Sequence, residues 1–181
     1  MEPISISTKM KQPTPTQKGL ITGALMIIAS LFSSEILKNP VESYFQFIIY
    51  LIFSLGIVWS LVSFSKINND QNSFKDFFSV GFKTFIVVTL LMAGFAYIYF
   101  SLHSEFRDGK IAENSKLLLQ QGDHLPKEIE ENANQLKKMF MPMMISSAVF
   151  RYLILGALIT AISGAYLSRN NNNKAFKTKE A

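Results

Sequence analysis

The sequence predicts an all-α fold, a four-helix transmembrane bundle with a short external helical hairpin between spans 3 and 4. Of its 181 residues, 49% are hydrophobic. They are gathered into four long blocks rather than spread at the spacing of a soluble core. Each block has the roughly 20 residues that a helix needs to cross a hydrocarbon layer about 30 Å thick.

The four blocks give the order of the elements along the chain. A polar N-terminal segment, residues 1–18, precedes a membrane domain that covers residues 19–168, and a basic tail follows at residues 169–181. We expect the external hairpin at residues 103–138. The spans are expected at residues 19–37, 44–64, 81–102 and 142–167.

The positions of the charged residues predict the orientation, because Lys and Arg are enriched in cytoplasmic loops. With the N-terminus inside, ten of the 18 basic residues and four of the 13 acidic residues fall on the cytoplasmic side. We therefore expect a multi-pass membrane protein with both termini cytoplasmic. The excess basic residues that give the net charge of +5 lie beside the apolar blocks. They therefore indicate the membrane topology and do not indicate a nucleic-acid partner.

The two longer loops have helical patterns. Before the third span, Ser73 is placed as the N-cap of a short interfacial helix that bends into the span at Gly81. In the external loop, Gly122 separates two amphipathic halves, and Pro126 opens the second. Helices of this size cannot bury a core alone. They are expected to lie on each other, on the membrane surface, on the rim of the bundle or on a partner.

A family resemblance rests on several of these segments. They are the polar N-terminus, the four spans, the turn SFKDFFSVGF, the acidic loop QQGDHLPKEIEENANQLKK and the small-residue span GALITAISGAYL. Together they resemble the bacterial family catalogued as domain of unknown function 4199, over about residues 17 to 168. The resemblance implies a four-helix bacterial membrane protein. It implies no biochemical role and brings no catalytic residues.

Residues that could carry chemistry are few. The chain has no cysteine, and its two histidines stand in the external loop beside acids, His103 near Glu105 and His124 after Asp123. This spacing is not that of a metal-binding helix such as HExxH. GxSxG, P-loop and dinucleotide motifs are absent from the sequence as well. We therefore expect no enzyme activity, no catalytic residue, no metal and no cofactor.

Two charged residues near the outer boundary form a candidate intramembrane ion pair. By helical rise, Arg151 lies about 27 Å from Arg169, and Glu35 lies about 25 Å from Lys18. Each charge would be costly facing lipid alone, so we expect the two to meet near the outer edge of the bundle. The first and fourth spans would then be adjacent.

The last span also carries a ladder of small residues, Gly156, Thr160 and Gly164, which allows the close approach of another backbone. Arg151 points roughly away from this ladder. The sequence as a whole favours a non-enzymatic accessory or structural membrane component, in contact with the lipid bilayer and with a membrane-protein partner or a second copy. The alternative is a small oligomeric transporter or channel that uses Glu35 and Arg151.

Overall fold

The structure, a computed structural model, describes residues 12–36, 43–67 and 72–179, with side chains over 12–33, 46–67 and 72–170. These ranges hold five helices and no strand, which confirms the all-α fold class. The helices are α1 (Pro15–Ile36), α2 (Ser43–Ile67), α3 (Phe74–Leu102), α4 (Ser104–Gln121) and α5 (Pro126–Lys179).

Four of the helices are long and apolar enough to cross a membrane. The stretches that qualify are Pro15–Ser33 in α1, Gln46–Ile67 in α2, all of α3, and Pro126–Asn170 in α5. Large apolar side chains such as Phe47, Leu90 and Ile162 are exposed along them. An apolar exterior of this extent needs lipid to cover it. The protein is therefore embedded in a membrane through four helices.

Helix α3 is the centre of the bundle and packs against α1, α2 and α5. Within the part of the chain that the structure describes, α1 and α5 make no contact with each other. They lie on opposite sides of the α2–α3 pair. The expected adjacency of the first and fourth spans is therefore wrong. Helical rise gives the depth of a charged residue in the membrane, but it does not say which neighbour its helix packs against. Small residues of α1 and α5 fit against α3, and this packing separates α1 from α5.

The bundle has two ends. We call the end that holds Pro15, Ile67 and Phe74 the terminal end, and the opposite one the α4 end. Close helix contacts lie toward the terminal end and the middle, where Gly19 and Gly23 let α1 approach α3. A Cβ on Gly19 would lie 2.7 Å from the Thr84 carbonyl oxygen. This GxxxG pair was not singled out in the sequence, although its spacing is a known signal for helix packing.

Helix α3 begins as the sequence predicts but does not bend. Ser73 is its N-cap in a full capping box with Asp76, whose carboxylate accepts from the Ser73 backbone N–H at 2.9 Å. The helix then runs through Gly81 without interruption. The separate interfacial helix is therefore wrong, because Gly81 supplies close packing against α5 rather than a hinge.

Helix α5 is a single helix of 54 residues, about 81 Å long by helical rise. The expected break between the hairpin and the fourth span does not occur, and Pro142 lies inside the helix. Proline removes one backbone hydrogen bond, to the carbonyl four residues earlier. That carbonyl belongs to Lys138, an exposed residue, and the helix continues through Pro142.

The hairpin consists of α4 and the first turns of α5 packed on each other. Gly122 ends α4 in the left-handed conformation, with φ of 74°. Asn114 Nδ2 donates to Asn132 Oδ1 at 3.0 Å between the two helices. Phe140 is buried against Phe100 of α3. Because α5 is continuous, the hairpin extends beyond the bundle at the α4 end.

Candidate functional site

Arg151 lies on the outside of the bundle. Its side chain is exposed, and Nη1 donates to Tyr50 Oη of α2 at 3.0 Å. The Glu35 side chain lies outside the described residues, so the proposed pair of Arg151 with Glu35 has no described geometry. The partner that the structure gives Arg151 is a neutral phenol, and this bond joins α5 to α2 at the lipid-facing surface.

The ladder on α5 lies against α3. Gly156 faces Phe85, Thr160 contacts Gly81, and Gly164 faces Phe77. A Cβ on Gly156 would come within 2.6 Å of Phe85 Cγ. The three ladder residues are thus brought together on one helix interface inside a single chain. No second copy is needed to fill this surface.

The two histidines lie at opposite ends of α4. His103 Nδ1 is 2.9 Å from Glu105 Oε1, and His124 Nε2 is 3.4 Å from Asp123 Oδ1. Eighteen helical residues separate the two pairs, which is about 27 Å. Among the described residues, no three His, Asp or Glu side chains converge on a point where a metal ion could bind.

The terminal half of the bundle contains a layer of buried hydroxyl groups that sequence reasoning did not identify. Thr84 Oγ1 donates to Ser60 Oγ at 2.8 Å, and Thr22 Oγ1 donates to the Lys18 carbonyl at 2.8 Å. Thr160 Oγ1 is buried and has no hydrogen-bond partner among the described atoms. Lys18 itself is only 3% exposed, with Nζ 5.5 Å from the centre of the Trp59 ring. Thr22, Ser60, Thr84 and Thr160 are all buried in this layer.

The α4 half, in contrast, encloses a cavity of about 570 Å³. One face of α5 forms a wall from Leu136 through Phe140 and Ala148 to Tyr152. Aromatic and aliphatic side chains of α3 form the facing wall, and α4 closes the cavity beyond the bundle. The volume and apolar lining are those of a small-molecule site.

A few polar groups are placed around this apolar cavity. Lys110 and Asn114 of α4 stand at the end beyond the bundle, and Gln46 of α2 stands on its side. Ser30 and Ser33 of α1 also line the cavity. Most of these groups are hydrogen-bond donors, and Lys110 is the one charged residue in the described lining.

The cavity is the site that the sequence did not reveal. Its walls come from five helices, so no single segment carries its signature. One trace is visible afterwards: apolar residues recur about every fourth position from Leu136 to Tyr152, and this stripe is continuous across Pro142.

Comparison with known proteins gives a family and no activity. A family model described as a protein of unknown function, DUF4199, matches residues 17–169. The match confirms the resemblance seen in the sequence. No curated protein and no solved structure matches the chain.

Proposed function

We propose that this chain, which belongs to the DUF4199 family of proteins of unknown function, is a non-enzymatic accessory or structural component of the bacterial cytoplasmic membrane. In this role the four spans anchor the chain, and the α4–α5 hairpin stands outside to contact a second membrane protein. Both termini face the cytoplasm.

The distribution of charge supports this orientation. Four crossings place Lys75, Lys83 and Arg169 together at the terminal end. The hairpin at the other end carries the acidic residues Glu105 and Glu128 among others. Basic residues beside spans are retained on the cytoplasmic side. The terminal end is therefore proposed to be cytoplasmic.

The observation that carries the proposal is the set of exposed leucine side chains near the tip of the hairpin. Leu117, Leu119 and Leu125 are 54%, 62% and 65% exposed. By helical rise, Leu119 lies about 25 Å beyond Leu102, the last residue of α3, so lipid chains do not cover it. Exposed apolar residues grouped outside a membrane are typical of a protein contact.

The transporter alternative has weaker support. A transport route needs polar groups facing a shared path, whereas Arg151 is exposed on the outside of the bundle. The centre is filled by Met26, Phe53 and Ile57. Arg151 would line a route only between two copies of the chain.

Photo-crosslinking in living cells tests the proposed role. A photoreactive phenylalanine analogue replaces Leu119, and the matched control replaces Glu131, an exposed residue of the same hairpin. We expect a discrete protein adduct from position 119 and none from position 131. The intact complex, purified in mild detergent, should show the same partner mass. A protein that elutes as a single chain and gives no adduct from position 119 would contradict the proposal.

A further inference from the structure

We propose that the cavity at the α4 end holds one acyl chain of an anionic phospholipid, drawn from the leaflet on that side, with the lipid phosphate at Lys110. This inference goes beyond the accessory role and does not depend on it. It also does not depend on which side of the membrane the hairpin occupies.

The shape of the cavity matches an extended hydrocarbon chain. Its wall on α5 runs from Leu136 to Tyr152, a length of about 24 Å by helical rise. The cavity of about 570 Å³ extends along this wall. Such a space fits an unbranched chain better than a compact ligand.

The level of the cavity places it beside lipid chains. Met143 and Tyr152 of α5, and Met92 and Phe100 of α3, lie within the spanning stretches of their helices. The walls are almost entirely apolar, so water gains few hydrogen bonds there. An empty space would leave the lining side chains without van der Waals partners. A hydrocarbon chain supplies those contacts, and the bilayer supplies the chain.

The cavity reaches the surface between two neighbouring helices. Gln46 of α2 and Met143 of α5 both line it and are both exposed. One turn below Gln46, the hydrogen bond between Tyr50 and Arg151 closes the gap between the same helices. A chain can therefore enter sideways from the leaflet, above that bond.

The polar end of the cavity suits an anionic head group. Lys110 is the one charged residue of the described lining, and no described carboxylate lines the cavity. Its ammonium donates to Glu113 Oε2 at 2.8 Å, which leaves two of its three donors for a phosphate. By helical rise Lys110 lies about 12 Å beyond Leu102. In the structure its ammonium reaches on to Glu113, and a rotation of its flexible side chain would carry the charge back toward the head groups.

Native mass spectrometry of the full chain, purified in mild detergent with added phosphatidylglycerol, tests the site. Ala148 lines the middle of the cavity, so Ala148→Trp should block the chain and lower the lipid-bound fraction about tenfold. Ala165→Trp is the matched control, because Ala165 is exposed on the same helix near the terminal end. We expect this control to keep the wild-type fraction.

The head-group position is tested with a second pair of variants. Lys110→Gln should lower the preference for phosphatidylglycerol over phosphatidylcholine several-fold, whereas Lys116→Gln, an exposed neighbour, should leave it unchanged. Equal preference in both variants would place the phosphate elsewhere and overturn that part of the proposal.

Three results would overturn the proposal as a whole. The first is a wild-type protein that retains no phospholipid, and the second is one that retains only detergent or free fatty acid. The third is equal lipid retention by Ala148→Trp and Ala165→Trp. Thermal unfolding shows whether Ala148→Trp folds. If it does not, Ala96→Leu on the facing wall takes its place as the test variant and should also lower lipid retention.

Discussion

Glycine has two different roles within α3. Gly81 lies against Thr160 of α5, so close that a methyl group at this position would collide with the threonine side chain. Gly94, further along the same helix, has no atom near its Cβ position. Gly81 therefore lies at a close-packed helix interface, whereas Gly94 is exposed on the outer face of α3.

We predict opposite effects of the same substitution at the two positions. Gly81→Ala should lower the free energy of unfolding by about 1–3 kcal/mol, because overpacking forces the helices apart. Gly94→Ala should raise it by about 0.5–1 kcal/mol, because alanine favours the helix and meets nothing. Both changes can be measured by denaturant unfolding in detergent, followed by circular dichroism. Equal effects at the two positions would contradict the packing described above.

Arg151 offers a second test at this scale. Its bond to Tyr50 is exposed, so Arg151→Gln and Tyr50→Phe should each lower the free energy of unfolding by no more than about 1 kcal/mol. A double-mutant cycle should show coupling between these two residues. The same cycle with Glu35→Gln should show less, since α1 and α5 do not touch in the described part of the chain. Stronger coupling to Glu35 would restore the ion pair that the sequence suggested.

Among the elements, α4 depends most on exposed charge, since it has no buried residue. The pKa of Glu105 is held below its usual range by a backbone hydrogen bond and by His103. Hydrogen bonds from Arg107 and Lys110 lower the pKa values of Asp108 and Glu113. A carboxyl group whose pKa is lowered in the folded state stabilises the folded helix at pH values above its unfolded pKa. This stabilisation is lost as the pH falls through the folded pKa.

We therefore expect α4 to loosen in acid before the bundle does. Hydrogen exchange of α4 amides, corrected for the intrinsic rate, should show falling protection as the pH drops below about 4. Amides in the buried part of α3 should keep their protection from exchange over the same pH range. The control replaces all three acids by amides (Glu105→Gln, Asp108→Asn, Glu113→Gln) and should remove the pH dependence. An unchanged dependence in this variant would contradict the assignment.

The elements show what a sequence can and cannot predict. The length of the apolar blocks was sufficient to predict four spans, and Ser73 was sufficient to predict the start of α3, whereas its capping box with Asp76 was found in the structure. The continuity of α5 was missed because Pro142 follows a polar segment and looks like the start of a new helix. In the structure the helix continues through Pro142, because the loss of one backbone hydrogen bond beside an exposed residue does not break it.

At the scale of the whole molecule, the arrangement of the helices depends on shape rather than on charge. Gly19 and Gly156 place α1 and α5 on different faces of α3, and no argument from the depth of Arg151 could give that result. The cavity escaped prediction for the same reason, since it exists only once five helices are assembled around it.

The orientation of the chain in the membrane is the central claim, and impermeant thiol labelling of intact spheroplasts tests it most directly. The chain has no cysteine, so a single cysteine introduced at the exposed position Gln120, Lys75 or Asn170 is the one thiol in the protein that can be labelled. We predict labelling of Gln120→Cys alone, with all three variants labelled after permeabilisation. Labelling of Lys75→Cys and Asn170→Cys in intact spheroplasts, with Gln120→Cys protected, would contradict the account.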